Sequence, residues 1–182
     1  LAGSSSNAST AFSRMADSIE RHDRDMRRMA YTDSLTGLAN RLAFRETLDH
    51  RLMQLRGVGR QLALLFADID DFKRVNDTLG HDVGDEVLIQ FANRIREAVE
   101  RAGGHASELA RFGGDEFVIL LHSEGEHGDI RGSAAHLAET LVAELSRPIV
   151  VQDRQVFLGT SIGVTLFPED ASGATMLMKN GD

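Results

Sequence analysis

The sequence has no cysteine and no tryptophan, contains only two prolines, and has no uninterrupted apolar run long enough to cross a bilayer. The absence of cysteine excludes disulfides, thiolate catalysis and cysteine-ligated zinc. Basic residues are also in deficit, because 20 lysines and arginines face 28 acidic residues, for a formal net charge of −8. This charge disfavours non-specific binding to nucleic acid or to an anionic membrane. No nucleic-acid partner is therefore expected, and an anionic ligand would need a metal ion or backbone N–H groups.

The chain has the size and composition of one globular domain with a short appendage. Its 182 residues are 42% hydrophobic and 26% charged, a balance that supports a buried core. No signal-peptide pattern opens the sequence. A cysteine-free chain is compatible with the reducing cytoplasm, where we expect it, with any membrane attachment supplied by a receptor region upstream.

Residues 1–30 form the appendage. The first nine, LAGSSSNAS, are small and polar and predict a flexible tail. Beyond them, apolar residues and one histidine recur every seven positions in two interleaved series: Phe12, Ile19 and Met26, and Met15, His22 and Met29. This spacing predicts an extended signalling helix that pairs with a second copy of itself in a short coiled coil. The alternative is an amphipathic helix that packs on its own domain.

The remaining sequence alternates strand-like and helix-like segments. Asn40 is expected to cap a helix at about 41–56, and residues 61–70 are a short apolar run typical of a central buried strand. Gly113 and Gly114 predict a hairpin, because glycine adopts positive φ without strain. The other predicted elements are helices at 70–81, 84–101, 130–146 and 172–179, and strands at 108–112, 116–121, 148–152 and 156–167. This order predicts an α/β sandwich in which helices cover a mixed sheet.

Three carboxylates follow the buried strand. Asp68, Asp70 and Asp71 lie where the strand gives way to a helix, the usual position of ligand sites in α/β sheets. Their hard oxygens suit Mg²⁺ held partly by substrate phosphates, while the N–H groups of the helix start, with Lys73, suit a phosphate. Asp68 and Asp70 share one face only if the strand continues through both. The alternative is that an aspartate simply caps the helix.

A second acidic cluster, Asp115 and Glu116, occupies the turn of RFGGDEF at residues 111–117. If this hairpin lies beside the central strand, Asp115 can approach Asp68 and complete a divalent-metal site, or accept a proton from an attacking hydroxyl. The alternative is a solvent-exposed polar turn. Spacing along the chain does not decide between the two.

A third pair, Asn76 and Asp85, flanks the turn between the two middle helices. A carboxylate such as Asp85 can accept from the two adjacent N–H donors of guanine, while an asparagine amide can donate and accept along a base edge. The pair can therefore read guanine. The alternative is that Asn76 and Asp77 end one helix. Asp82 or Asp85 would then begin the next.

Together these segments resemble the GGDEF family of diguanylate cyclases over residues 31–182. Four stretches in the family's order and spacing carry the resemblance: YTDSLTGLANRLAF, ADIDDFKRVNDTLGHDVGDEVL, RFGGDEF and TSIGVTLFPEDA. The resemblance implies a nucleotidyl-cyclase-like fold of the palm or ferredoxin-like type, with a central mixed antiparallel sheet flanked by helices. It also implies that two GTP molecules are joined into cyclic di-GMP, a bacterial second messenger, with release of two pyrophosphates.

The resemblance implies a metal and catalytic role for five of the matching residues. Asp68 and Asp115 would bind Mg²⁺ or Mn²⁺ through their carboxylates, and Ile69 would bind it through its carbonyl. Lys73 would stabilise charge on the phosphates. Either Asp115 or Glu116 would help to deprotonate the attacking 3′-hydroxyl.

Five further residues match the family's substrate-binding positions. Asn76 and Asp85 would hold guanine, with His81 near the nucleotide. The backbone at Asp71 and Phe72 would cradle the phosphates. The alternative function is a GTP-binding regulatory module that controls a neighbouring domain without synthesis.

The resemblance also concerns assembly and regulation. Each domain of this family holds one GTP, which implies a homodimer for catalysis. The family's Arg-x-x-Asp product-inhibition site is missing, because Gly104 and Ser107 occupy its positions. No strong product inhibition through that surface is expected.

The two ends of the sequence suggest neighbouring modules. Residues 1–20 faintly resemble the last helix of a HAMP signal-relay module. The chain stops at Asp182, before the family's final helix and strand. Such an ending is common where a cyclic di-GMP phosphodiesterase (EAL) domain follows, so a HAMP module upstream and an EAL domain downstream are expected.

Overall fold

A computed structural model describes residues 3–54, 61–102, 106–123 and 129–167. Within these ranges, helices and strands follow each other largely in the predicted order. The helices are α1 (Gly3–Tyr31), α2 (Arg41–Gln54), α3 (Phe72–Leu79), α4 (His81–Arg101) and α5 (Ile130–Leu145). The strands are β1 (Leu62–Ile69), β2 (Ala106–Gly113), β3 (Glu116–His122), β4 (Ile149–Val151), β5 (Arg154–Val156) and β6 (Thr160–Phe167).

Four strands form one antiparallel sheet in the order β2-β3-β1-β6. Strands β4 and β5 form a separate two-stranded hairpin. In the described part of the chain, the parallel pairing that a mixed sheet implies is confined to an isolated bridge between Ala39 and Ala110. The expected antiparallel sheet flanked by helices is confirmed.

Strand β1 lies inside the sheet and is buried on both faces, which accounts for its nearly continuous apolar sequence. Because side chains alternate along a strand, Leu62 and Leu64 pack on one face with Phe44 of α2. Ala63 and Leu65 belong to the larger core on the other face, to which α3, α4 and α5 contribute. The sheet is therefore held between two helical layers.

Helix α2 begins as predicted. The Ala43 N–H donates to Asn40 Oδ1 at 3.0 Å, so Asn40 caps the helix. Phe44 and Leu48 are buried, whereas Leu42 is 48% exposed because it is two residues from Phe44 and lies on the other side of the helix. The predicted end near residue 56 lies outside the described residues.

Only Gly80 separates α3 from α4. Gly80 has a φ of 90°, and its N–H donates to the Asn76 carbonyl at 3.0 Å, which closes α3. Helix α4 therefore begins at His81, and the alternative in which Asp82 or Asp85 begins it is wrong. Asp82 instead lies in the first turn, where its charge interacts favourably with the helix dipole.

Three strands follow α5, where the sequence predicted two. The run 156–167 is divided, because Val156 ends β5 and Thr160 begins β6. Gln152 and Asp153 join β4 to β5 with φ values of 52° and 61°, which suit a tight hairpin turn. Neither residue is glycine, so the sequence carries no clear turn signal there. The helix predicted at 172–179 lies outside the described residues.

Helix α1 is 29 residues long and begins at Gly3, so residues 3–9 are helical where the composition predicted a flexible tail. Residues 3–9 include four serines and one alanine, and a helix already formed further along the chain extends through such residues at a small cost in free energy for each. The five apolar residues of the heptad series are between 56 and 82% exposed. The alternative in which this stripe packs on its own domain is therefore wrong. No helix in the described ranges is both long and apolar enough to cross a membrane.

The smaller core should depend strongly on Phe44, whose side chain is fully buried against the sheet and meets the Phe112 ring edge to face. We expect Phe44→Ala to lower the free energy of unfolding by about 3–5 kcal/mol, because it leaves a cavity. Urea denaturation measures this loss. Leu42→Ala, on the exposed side of the same helix, is the matched control and should change it by less than about 1 kcal/mol. Equal losses in the two variants would contradict the packing described.

Candidate active site

The end of β1 and the tip of the β2–β3 hairpin lie side by side. In the antiparallel pairing of β1 with β3, Asp68 is the direct partner of Glu116, the first residue of β3. Asp115 precedes Glu116 in the turn, and Ile69 is the last residue of β1. The structure therefore brings together the two acidic clusters, as the metal-site interpretation of the hairpin requires.

Like charges meet at this point. Burial raises the pKa of Asp68, and the negative charge of Asp115 raises it further. Glu116 and, to a smaller extent, Asp70 act in the same direction. Carboxylates opposite each other on neighbouring strands destabilise a sheet unless a proton or a cation lies between them. A raised pKa within such a cluster indicates a candidate functional site.

The oxygens at this point fit a hard divalent cation that has other ligands as well. Carboxylate and carbonyl oxygens are the protein ligands that Mg²⁺ and Mn²⁺ prefer. Among the residues that the structure describes, however, no three acidic or histidine side chains are close enough to hold an ion by themselves. Mg²⁺ usually takes one or two carboxylates and completes its shell with water and substrate phosphates. Asp68, Asp115 and the Ile69 carbonyl fit such an incomplete set.

Asp70 has a different environment from Asp68, because β1 ends at Ile69 and the two aspartates do not share a strand face. The Asp70 N–H donates to the Gly159 carbonyl at 3.0 Å, and Asp70 Oδ1 accepts from Ser161 Oγ at 2.6 Å. A Cβ at Gly159 would stand 2.8 Å from Asp70 Oδ2, so only glycine leaves this approach free. Asp70 thus fastens the turn after β1 to β6. Sequence reasoning missed Gly159 and Ser161, which lie about ninety residues further along the chain.

The turn between β1 and α3 leaves the start of α3 without a side-chain cap. Asp71 occupies the N-cap position with a φ of 55°, in the left-handed region that aspartate tolerates. Its side chain makes no capping hydrogen bond, so the alternative in which this aspartate simply caps the helix is wrong. The Arg74 N–H donates to the Asp71 carbonyl at 3.0 Å, which leaves the N–H groups of Phe72 and Lys73 available to an anion. Lys73 is exposed in the same first turn.

Helices α3 and α4 pack against each other and carry the predicted base-reading pair. Asn76 is half-buried inside α3, and Asp85 is exposed in the second turn of α4. His81 is the first residue of α4 and is exposed. Because Asn76 lies within α3 rather than at its end, the helix-terminating interpretation of Asn76 is wrong. The Asn76 side chain lies against Gly84 of α4, the residue before Asp85.

The glycine turn of the hairpin is held from outside by Arg111. Gly113 and Gly114 have φ values of 123° and 51°, as predicted for this hairpin. Arg111 donates to the Gly114 carbonyl through Nε at 3.0 Å and through Nη2 at 2.8 Å. Its Nη1 donates to Asp33 Oδ1 at 2.9 Å, and both side chains of this ion pair are largely buried. The turn that carries Asp115 is thereby tied to the segment that follows α1.

Asp33 was not singled out from the sequence. Its Oδ2 accepts from the Thr36 N–H at 2.9 Å and from Thr36 Oγ1 at 2.7 Å. Burial alone would raise the pKa of Asp33, but these hydrogen bonds and the charge of Arg111 outweigh burial and lower it. Its stabilising contribution is therefore present at neutral pH and is lost as the pH falls through the lowered pKa. The Asp-x-x-Thr spacing is a recognisable turn signal in the sequence. No sequence signal indicates that Asp33 forms an ion pair with Arg111, which lies 78 residues further along the chain.

The positions of the missing product-inhibition site are only partly described. Ser107 lies in β2, and Gly104 lies outside the described residues. The expectation of weak inhibition there remains a prediction from the sequence.

The repulsion around Asp68 predicts that Asp68→Asn stabilises the metal-free protein. At neutral pH the substitution removes a charge that three neighbouring carboxylates oppose, and we expect the Tm to rise by about 1–3 °C. The gain should disappear as the pH falls below about 4, because a carboxyl with a raised folded pKa is then protonated in both folded and unfolded states. Thermal unfolding across pH 3–8, in buffer with a chelator, measures the effect.

The matched control is Asp17→Asn, which removes an exposed carboxylate of α1 far from the sheet. It should not raise the Tm at neutral pH. A lower Tm for Asp68→Asn at neutral pH would mean that the carboxylate is stabilised in the folded protein, contrary to its raised pKa.

Comparisons with known proteins agree with this geometry. The family model described as diguanylate cyclase, GGDEF domain, matches residues 30–182. The cyclic di-GMP phosphodiesterase NbdA of Pseudomonas aeruginosa is 39% identical over 155 residues, which are 85% of this chain and 19% of that protein. The bifunctional diguanylate cyclase/cyclic di-GMP phosphodiesterase MucR of the same species is 39% identical over 168 residues, 92% of this chain and 23% of that protein.

A solved structure resembles the described chain over nearly its whole length. It contains the coiled coil and GGDEF domain of DgcB from Caulobacter crescentus in complex with c-di-GMP. It is 28% identical, with a TM-score of 0.78, and the match covers 96% of this chain and 93% of that chain. The chain spans only about a fifth of the length of the two Pseudomonas relatives. From the family match and the shared fold, the chain belongs to the GGDEF family, the family of the diguanylate cyclase domain.

Proposed function

We propose that this chain is the catalytic domain of a diguanylate cyclase. In the reaction, the 3′-hydroxyl oxygen of each GTP attacks the α-phosphorus of the other. A P–O bond forms to the 3′-oxygen, the bond from the α-phosphorus to the oxygen of the leaving pyrophosphate breaks, and the hydroxyl proton passes to a base. Two attacks give cyclic di-GMP, two pyrophosphates and two protons. The observation that carries the proposal is the pairing of Asp68 with Glu116 beside the uncapped start of α3.

The cation belongs, in this proposal, to Asp68, Asp115 and the Ile69 carbonyl. Cyclases of this family are generally metal-dependent, and the oxygen ligands favour Mg²⁺ or Mn²⁺. Held by these residues, such an ion would supply charge neutralisation at the phosphates. The raised pKa of Asp68 supports the assignment, because a carboxylate surrounded by negative charge gains from a nearby cation.

The chain's own groups would position the triphosphate and move the proton. The free N–H groups at the start of α3, near Asp71 and Phe72, would cradle phosphate oxygens, and Lys73 would stabilise their charge. Asp115 or Glu116 would accept the proton of the 3′-hydroxyl. Both carboxylates act electrostatically on Asp68, so either is close to the proposed metal site.

Guanine would bind between α3 and α4. Asp85 would accept from the two adjacent N–H donors of the base, and the Asn76 amide would bond along its edge. His81, at the first position of α4, would lie near the nucleotide. This arrangement separates base recognition on the two helices from phosphate chemistry at the end of β1.

Two domains must meet for the ring to close, because each would hold one GTP. We propose that α1 pairs with its copy through the exposed heptad stripe. The stripe supports the pairing because its apolar residues are uncovered on the described chain. Such pairing raises the local concentration of one active site near the other. A cytoplasmic location, which the cysteine-free composition permits, is part of the same proposal.

The proposed synthesis is tested by incubating the chain with GTP and Mg²⁺ and separating the products by chromatography. We expect the parent chain to form cyclic di-GMP and pyrophosphate. In Asp115→Ala we expect kcat to be lower by a factor of about 100 or more. Asp49→Ala, an exposed aspartate of α2 away from the site, is the matched control and should retain activity. Product formed equally well by Asp115→Ala would contradict the assigned site.

The proposed pairing is tested with Ile19→Asp, which places a charge in the middle of the stripe. At low protein concentration we expect specific activity to fall about tenfold and to recover as the concentration rises, because only dimer affinity is lost. GTP binding per chain should stay unchanged, and sedimentation should report more monomer. Ser13→Asp adds the same charge off the stripe and should behave like the parent chain. Equal loss of GTP binding and activity would argue against the dimer role.

The alternative is a GTP-binding module that regulates a neighbouring domain without synthesis. It is favoured by the relative NbdA, which is known as a phosphodiesterase although it contains a segment 39% identical to this chain. The catalytic positions of this chain are all filled by competent residues, which favours synthesis. A dimeric chain that binds GTP and forms no product would select the regulatory function.

A further inference from the structure

Helix α4 contains a glycine, Gly84, in its interior. The residue is buried, lies at the fourth position of a helix of 21 residues, and has an ordinary helical backbone. Glycine in a helix interior is less stable than alanine, because it loses more backbone freedom on folding. A positive φ does not explain this glycine, so its role must lie in the space beside it.

That space is occupied by the side chain of Asn76. A Cβ placed on Gly84 would overlap Asn76 Oδ1 and would stand 3.0 Å from Asn76 Cγ. The next atom, Phe72 Cζ, would be at an ordinary contact distance of 3.4 Å. Because residue 84 has no side chain, the Asn76 amide can lie directly against the backbone of α4.

Little else in the described residues fixes this amide. The backbone carbonyl of Asn76 accepts from the Gly80 N–H, but no described side chain or backbone group hydrogen-bonds to the Asn76 side chain. The side-chain amide of Asn76 instead packs closely against Gly84. Since Asp85 is the next residue of α4, the same contact sets the position of the amide relative to the Asp85 backbone.

We propose that Gly84 is a positioning residue for base selection: it lets the Asn76 amide lie across α4 beside Asp85, where the two can read guanine together. This inference rests on the proposed function, because it takes guanine as the base. A methyl group at residue 84 would displace the amide while leaving Asp85 and the phosphate-binding start of α3 in place, because it stands at an ordinary contact distance from Phe72.

A methyl group at residue 84 would act differently if Gly84 positions the amide than if Gly84 only maintains the fold. The overlapping atom is the end of a short, flexible side chain, so the Asn76 amide can rotate away from a methyl group and the fold survives. Gly84→Ala should therefore change the selection of the base and leave phosphate binding nearly intact. A defect in folding would weaken the binding of every nucleotide alike.

The packing is tested with a double-mutant cycle of Gly84→Ala and Asn76→Ala, followed by thermal unfolding without nucleotide. With Asn76 already truncated, Gly84→Ala meets no obstacle and should raise the Tm by about 2–4 °C, through its higher helix propensity. With Asn76 present, the gain should be smaller or reversed. The same Tm change in both backgrounds would overturn the inference, whatever the protein binds.

The selection of the base is tested by calorimetric titration of GTP and ATP into the parent chain and its variants. Gly84→Ala should weaken GTP binding about tenfold and leave ATP binding unchanged, so that the ratio of affinities falls. Saturating GTP should recover most of kcat. Gly163→Ala is the matched control, because a Cβ there meets nothing within 4 Å, and it should keep the parent ratio.

The outcomes separate this inference from the function on which it rests. A parent chain that prefers GTP, with the same preference in Gly84→Ala, would overturn the role of Gly84 and leave the cyclase proposal standing. A parent chain that does not distinguish GTP from ATP would overturn both. A lowered ratio in Gly84→Ala together with coupling in the unfolding cycle supports the role.

Discussion

The register between β1 and β3 is the constraint on which the site depends. It places Asp68 directly opposite Glu116, beside the turn that carries Asp115. A slip of one residue would carry Asp68 to the face on which Ala67 and Ile69 are buried in the larger core, and would bring an apolar residue to its exposed place. The acidic end of β1 therefore helps to fix the register, and the core holds together carboxylates that repel one another. The free energy gained by burying the apolar side chains of the sheet offsets this repulsion between carboxylates.

The same carboxylates are held from the hairpin side by a largely buried ion pair. Arg111 bonds twice to the Gly114 carbonyl and once to Asp33, so the conformation of the turn depends on a residue just after α1. Removing either partner would leave a largely buried charge without its ion-pair partner, which costs more stability than the pair contributes. A few hydrogen bonds thus connect the end of the long helix to the turn at the site.

Local pattern made much of the fold predictable. The apolar run of β1, the capping Asn40 and the glycine hairpin each carry a signal within a few residues. Contacts between distant segments carry none, which is why the bond from Ser161 to Asp70 and the ion pair of Asp33 were not foreseen. The β4–β5 turn was missed for another reason, because Gln152 and Asp153 adopt positive φ without glycine. Residue type and position pointed to the acidic clusters and to Asn76 and Asp85, whereas Ile69 and His81 were implied only by the family resemblance. The approach of Asp68 to Glu116 and Asp115 comes from the sheet register.

Two features of the chain lower its stability where the proposed chemistry needs them. The carboxylates at the end of β1 repel one another, and Gly84 lowers the stability of α4, the helix that contains it. Local rules for stability are commonly broken at functional sites, with compensation supplied elsewhere in the fold. The compensation in this chain is visible in the two buried layers on either side of β1. A cation would relieve the repulsion at the end of β1, whereas the space beside Gly84 is already filled by the Asn76 amide, whose position is what the weaker helix provides.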